Sequence, residues 1–254
     1  MSAPLTRPRH ILVTGATRGI GRAIAAAFVA DGARVTVLGR TPDSAAAAAT
    51  TLGAAASVAA DVTDAAALTA AIHTAADAAP IDVLVNNAGG ADTAPLTRIT
   101  VDALRAMMAL NVEPVLTGAQ AVVPAMKARG SGRIITIAST AGLKGYPYVA
   151  AYTAAKHAAV GLTRALAAEL ATTGITVNAV CPGFTDTDLV AGSIAALTEK
   201  TGRDPADLLA EFTKVNPMGR LIAPDEVAAA VLWLASPAAA SVTGQTIAVD
   251  GGET

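Results

Sequence analysis

Seven short runs rich in β-branched residues, separated by long alanine- and leucine-rich stretches, restrict this chain to few architectures. The runs are Ile11 to Thr14, Arg34 to Leu38, Ala56 to Ala60, Ile81 to Asn86, Arg133 to Ala138, Thr176 to Val180 and Thr246 to Val249. Each is mostly apolar on both faces and ends in a turn or polar residue, the pattern of strands covered on both sides in a parallel sheet. Between them, Gly19 to Ala30, Asp64 to Ala79, Val101 to Ala128, Ala150 to Ala171 and Pro224 to Ala235 are long enough to be crossover helices, and Ala45 to Ala49 reads as a helix interior. Alanine suits buried and exposed helix faces alike and blurs the helical period, so the β-branched runs carry the assignment. The repeating β-α order predicts α/β architecture: a single doubly wound domain over residues 1–254, with roughly seven parallel strands and helices on both faces. The interval 183–217 breaks the rhythm. It carries PGFTDTDLV and then EKTGRDPADLLAEF, and is expected to be an inserted helical lid.

Composition removes several function classes. With 254 residues, 53% hydrophobic and 15% charged, the chain is too apolar for disorder. Its formal net charge of -2 argues against nucleic acid as a partner. One cysteine, Cys181, excludes an internal disulfide, and three scattered histidines, His10, His73 and His157, offer no metal cluster. Mean hydropathy is +0.50, yet the apolar stretches around Ala23 to Ala30 and Val227 to Ala235 are bounded by Arg22, Asp31, Ser236 and Pro237. They fall short of the ~18 residues of a spanning helix, so no membrane is expected. The opening MSAPLTRPRH has no apolar core of an export signal, and a reducing cytoplasm is the expected location.

The first run enters TGATRGIG, Thr14 to Gly21, and then a helix. Gly15, Gly19 and Gly21 would allow a tight turn, close approach of backbone to a pyrophosphate and close helix-sheet packing, with amides and helix dipole facing the anion. The spacing is GxxxGxG rather than GxGxxG, and a plain strand-turn-helix would also fit it. After the second run, where a carboxylate would meet the ribose 2'-hydroxyl of NAD, the chain has Gly39 and Arg40. Arg40, with Arg18 from the glycine turn, suits a 2'-phosphate, so NADP(H) is favoured and NAD(H) remains open; solvated surface arginines are the plain alternative.

Tyr152 and Lys156 stand at i and i+4 on one helix face. A lysine ammonium near a phenol favours the phenolate and is expected to lower the tyrosine's pKa, making it a usable acid or base. Ser139 follows an apolar run at the carboxyl edge of the sheet, as does Asn86-Asn87-Ala88-Gly89, and Asn111 lies in a long apolar helix, where an amide needs a partner or a task. For each of these a structural hydrogen bond is the plain alternative.

Taken together, TGATRGIG, the NNAG of Asn86 to Gly89, Asn111, Ser139, Tyr152-xxx-Lys156 and Pro182-Gly183 resemble the short-chain dehydrogenase/reductase family in order and spacing. The resemblance runs from about Ile11 to Gly252 and includes VTGQTIAVDGG at Val242 to Gly252. It implies a Rossmann-type fold and an NAD(P)-dependent enzyme, a carbonyl reductase or ketoreductase of 3-oxoacyl type. By that resemblance Tyr152 would be the general acid, Ser139 would orient the carbonyl, Lys156 would hold the nicotinamide ribose and Asn111 would anchor a water leading to Lys156. Gly15, Thr17, Arg18, Gly19, Ile20, Gly21, Arg40, Asp61 and Val62 would hold the adenosine end of the cofactor. Asn87, Ala88 and Gly89 would flank the ribose, and Pro182, Gly183 and Thr185 the carboxamide; no metal is implied. Leu143, Tyr146, Tyr148, Phe184 and Leu189, with Ser139, are candidates for the substrate pocket, though loop packing would account for them equally.

The readings left open are an NADP(H)-dependent ketone or 3-oxoacyl reductase, an NAD-dependent hydroxyacyl-CoA or secondary-alcohol dehydrogenase, and a catalytically silent nucleotide-binding regulator. The resemblance further implies a homotetramer or homodimer, assembled through the helices near Val101 to Ala128 and Ala150 to Ala171.

Overall fold

A computed structural model describes residues 8–254. The opening segment from which the export reading was made therefore lies outside the described residues up to residue 7. The chain alternates β1 (His10–Thr14), α1 (Gly19–Ala30), β2 (Arg34–Gly39), α2 (Pro42–Leu52), β3 (Ala56–Ala59), α3 (Ala65–Ala78) and β4 (Val83–Asn86). It continues through α4 (Val101–Asn111), α5 (Glu113–Arg129), β5 (Gly132–Ile137), α6 (Ala150–Leu170) and β6 (Ile175–Pro182). Helices α7 (Asp188–Thr201), α8 (Pro205–Lys214) and α9 (Pro224–Ala235) precede β7 (Thr246–Val249). The seven strands form one sheet in the order β3-β2-β1-β4-β5-β6-β7, every pair parallel.

Alternation along the strands builds two cores. Ile11, Val13, Val35, Val37, Val83, Val85, Ile135 and Ile137 face one layer with Ile24, Phe28 and Val231 of α1 and α9. Leu12, Leu38, Leu84 and Ile134 face the opposite layer with Leu68, Ile72, Val122 and Met126 of α3 and α5. A period of two with both faces buried is why each strand reads as an unbroken apolar run. The first strand sits inside the sheet, with β2 and β4 on its two sides, so the chain's winding reverses between β1 and β4. A crevice opens outside the carboxyl ends of two such strands.

One predicted helix is two. The stretch Val101 to Ala128 breaks at Val112, whose φ of −120° and ψ of −52° separate α4 from α5. Pro114 supplies the cause: it lacks an N–H and would crowd the carbonyl four residues back, so it opens a helix instead of continuing one. By length and a mean hydropathy of 1.2, residues 101–129 also pass for a membrane-crossing segment, a candidate absent from the sequence reading. In the fold 33% of its most apolar window is buried inside the molecule, with Val115, Ala119, Val122 and Met126 of α5 among the buried residues of the segment.

Candidate active site

The glycine turn joins β1 to α1 at the reversal. Gly15 has φ of +64°, a left-handed conformation, and its N–H donates to the Leu38 carbonyl at 2.8 Å, tying the turn to β2. A Cβ on Gly15 would stand 2.9 Å from Ala88 Cα. One on Gly21 would collide with the Asn87 amide and come within 2.5 Å of the Gly15 carbonyl oxygen. Asn87 Nδ2 donates to the main-chain oxygens of Thr14 and Gly15 at 2.9 and 3.1 Å, while Thr14 Oγ1 accepts from the N–H groups of Asn87 and Ala88, both at 3.0 Å. Thr14 thus clamps the ends of β1 and β4 together. It lies within the quoted motif, but sequence reasoning assigned it no task.

Beyond β2, Arg40 is exposed at the mouth of α2, whose Thr41 cap accepts from Ser44 N–H at 3.3 Å. Two Thr63 hydrogen bonds, and then the Arg40 charge, hold the exposed Asp61 carboxyl below its usual range, so Asp61 and Arg40 share one end of the crevice. A backbone cradle that no side chain could fill, next to an exposed guanidinium and a helix N-terminus, fits a dinucleotide phosphate.

The second group of residues gathers at the ends of β4 and β5. Ser139 lies two residues past β5, half-buried, its hydroxyl accepting from Ala141 N–H at 3.1 Å. From α6, Lys156 is buried, and its ammonium donates to the Ile137 carbonyl at 2.9 Å and sits 5.7 Å from the centre of the Tyr152 ring. Asn111, the last residue of α4, is buried and not in mid-helix as the sequence suggested. Its amide donates to the carbonyls of Gly90 and Met107 at 3.0 and 3.1 Å, and its oxygen accepts from Gly90 N–H at 3.3 Å. A Cβ on Gly89 would stand 2.7 Å from Asn111 Oδ1 and 3.6 Å from Lys156 Nζ. Asn111, Lys156 and the β4 loop therefore converge on one point.

The electrostatics reverse one expectation. Burial pushes the Tyr152 phenol above its ordinary value, the Ser139 hydroxyl opposing it. The expected lowering by Lys156 is not found: desolvation dominates at the phenol, and burial separately lowers the lysine itself, to about 8. The consequence is a phenol that stays protonated at neutral pH beside a lysine that loses its charge close to the physiological range. Cys181, buried nearby, is pushed up to about 11 and stays a thiol, unsuited to be a nucleophile.

The pocket candidates divide. Tyr146 meets Phe184 edge-on at 6.1 Å, and Leu143 packs against Ala138, Val160, Ala179 and Cys181. Tyr148 and Leu189 are 67% and 54% exposed and lie at the surface. Pro182 ends β6, and Thr185 beyond it is buried, its hydroxyl donating to the Gly183 carbonyl at 3.0 Å.

A parallel doubly wound sheet with a glycine cradle at its reversal and a Ser-Tyr-Lys-Asn cluster beside it defines a dinucleotide-dependent oxidoreductase class. The family model described as short chain dehydrogenase matches residues 9–197, and the chain belongs to that family. It is 43% identical over 246 residues, 95% of this chain and 93% of the relative, to a galactitol 2-dehydrogenase (L-tagatose-forming) of Cereibacter sphaeroides. It is 42% identical over 248 residues, 95% of both chains, to a 3-oxoacyl-[acyl-carrier-protein] reductase of Synechocystis. Among solved structures, a variant actinorhodin polyketide ketoreductase with NADPH superposes with a TM-score of 0.92 at 36% identity, covering 97% of each chain. The protein is thus a nicotinamide-dependent oxidoreductase of the carbonyl/alcohol type.

Proposed function

We propose that this chain is an NADP(H)-dependent ketoreductase that interconverts a ketone or 3-oxoacyl group and a secondary alcohol. The observation that carries this reading is the convergence of Asn111, Lys156 and the Gly89 loop beside Tyr152, at the end of the same crevice that begins with the glycine cradle. The cofactor, when bound, supplies the hydride. Gly15, Thr17, Arg18, Gly19, Ile20, Gly21, Asp61 and Val62 hold its adenosine end, Arg40 the 2'-phosphate, and Asn87, Ala88, Gly89, Pro182, Gly183 and Thr185 its nicotinamide half. Tyr152 gives its phenolic proton to the oxygen of the substrate as negative charge gathers there. Ser139 donates a hydrogen bond to the same oxygen, and the Lys156 ammonium offsets the charge as it forms. Asn111 keeps α4 and the Gly90 backbone in place beside Lys156. The segment 183–217, with α7 and α8, acts as a lid within one domain; the location is cytoplasmic and the assembly a homotetramer or homodimer.

The phosphate assignment has a direct test. Arg40→Ala is expected to lower kcat/KM for NADPH by about 10- to 100-fold, the weight of a charge-assisted phosphate contact, and to leave NADH within about twofold. Equal losses with both cofactors would remove Arg40 from the 2'-phosphate. The similarity to a galactitol dehydrogenase supports a second reading, oxidation of a polyol or other secondary alcohol. A screen of NADPH consumption over β-keto esters, 3-oxoacyl thioesters and cyclic and aryl ketones, run beside NAD(P)-linked oxidation of polyols, separates the two.

The lysine sets the pH response. Because burial lowers Lys156 to about 8, the ammonium is present below that pH and absent above it. Carbonyl reduction is therefore expected to hold steady near neutrality and fall as pH rises through about 8, where neutralised Lys156 stops offsetting the forming oxyanion. Lys156→Met should erase that limb of the kcat profile; a limb that survives the substitution belongs to another group.

A further inference from the structure

A buried carboxylate stands behind the catalytic loop and has no part in the reaction described above. Glu253 follows β7, and its side chain is 1% exposed. Its Oε1 pairs with Lys144 Nζ at 3.0 Å and accepts a short hydrogen bond from the Tyr146 hydroxyl, and Lys144 Nζ also donates to the Glu253 main-chain oxygen at 3.1 Å. Among the described residues its Oε2 has no hydrogen-bond partner, and it lies 3.2 Å from where a Cβ on Gly183 would stand. A carboxylate taken out of water is costly unless it is paired, so both of its cationic and hydroxyl partners are held to this spot.

Both partners belong to the segment between Ser139 and Tyr152. The Tyr146 oxygen lies 2.6 Å from Thr140 Oγ1, next to Ser139 in the chain. The phenol has one proton and the carboxylate only accepts, so the Tyr146 O–H donates to Glu253 and the Thr140 hydroxyl donates to the phenol oxygen. From Tyr146 an edge contact leads to Phe184 at 6.1 Å, and Phe184 meets Phe212 of α8 edge-on at 4.8 Å. One carboxylate thus anchors a row of three rings that runs from the catalytic loop to the helices after β6.

We propose that Glu253 is a positioning residue for substrate, setting through Tyr146 and Lys144 the aromatic wall Tyr146-Phe184-Phe212 against which an apolar substituent of the carbonyl compound packs. The inference rests on the ketoreductase reading for its substrate and on the geometry alone for the coupling. Two arms separate them in the full-length protein. In the first, Glu253→Ala is expected to raise the KM of an aryl ketone such as α-tetralone about tenfold, with the kcat and the NADPH KM within about twofold, as misplacement of a binding wall requires. Glu253→Gln, which keeps an acceptor for Tyr146, should restore most of that KM, and Tyr146→Phe combined with Glu253→Ala should add little to the single change. In the second, hydrogen exchange in Glu253→Ala should quicken at 140–149 and at 205–214 and not at 15–30.

An unchanged ketone KM overturns the proposal, as does a uniform loss in kcat and both KM values, which marks general destabilisation. Unaltered exchange over 205–214 overturns it equally. If the wild-type protein reduces no carbonyl, the ketoreductase reading falls, and the exchange arm still decides whether Glu253 holds the aromatic row.

Discussion

Replacing Tyr152 by Phe is expected to cut carbonyl reduction by about 10³-fold, with NADPH affinity and thermal stability close to the wild type. A positioned proton donor contributes 10²- to 10⁴-fold, or about 4 kcal/mol of barrier at the middle of that range. The ring that remains preserves the packing, so the loss isolates the hydroxyl. Burial holds this phenol above its ordinary value, so it is protonated at neutral pH but is a weaker acid, and the transfer leans on Ser139 and Lys156 to offset the forming charge. Oxidation needs the opposite form and is expected to speed up as pH rises. The Ser139 hydroxyl would still donate to the oxyanion in the variant, which is why residual turnover is expected, and Ser139→Ala should cost less, about 10²-fold. Retention of full reductase activity in Tyr152→Phe, measured with the best ketone of the screen, would take the proton away from this residue.

Much of the scaffold is legible before any coordinates. The β-branched runs mark all seven strands to within two residues at every end, because burial on both faces leaves little room for polar interruption. The helix break at Val112 was not, although Pro114 stands two residues on; Pro124 sits inside α5, so proline alone does not announce a break here. The site divides in the same way. Tyr152 and Lys156 are close in sequence, and helical spacing alone brings them together. The sign of the phenol's shift depends on how deeply the surrounding elements bury it, which spacing does not contain. The Glu253–Tyr146 contact spans 107 residues, and nothing local at either end signals it.

The largest structural effect is expected at Gly21, where helix propensity and packing point in opposite directions. Gly21 lies inside α1, and in an open helix an alanine would be preferred over glycine by about 1 kcal/mol. Here the added methyl would meet the Asn87 side chain and stand 2.5 Å from the Gly15 carbonyl oxygen. The first group is the clamp between β1 and β4, the second is backbone, and neither yields without opening the cradle. Overpacking of this kind costs about 1–3 kcal/mol, so Gly21→Ala is expected to lose about 2 kcal/mol of stability despite its better propensity. NADPH affinity should fall by about thirtyfold or more, since losing about 2 kcal/mol of binding has that effect. Gly192 supplies the contrast: it lies in α7 and, among the described residues, its would-be Cβ meets nothing within 4 Å beyond its chain neighbours and its own helix backbone. There the propensity term acts alone, and Gly192→Ala should stabilise by up to about 1 kcal/mol without changing NADPH affinity. Urea unfolding and fluorescence titration with NADPH measure both quantities on both variants. Equal responses at the two glycines would mean that the methyl at Gly21 is accommodated, and that the close approach of β1, α1 and the β4 loop is not what shapes the cofactor cradle.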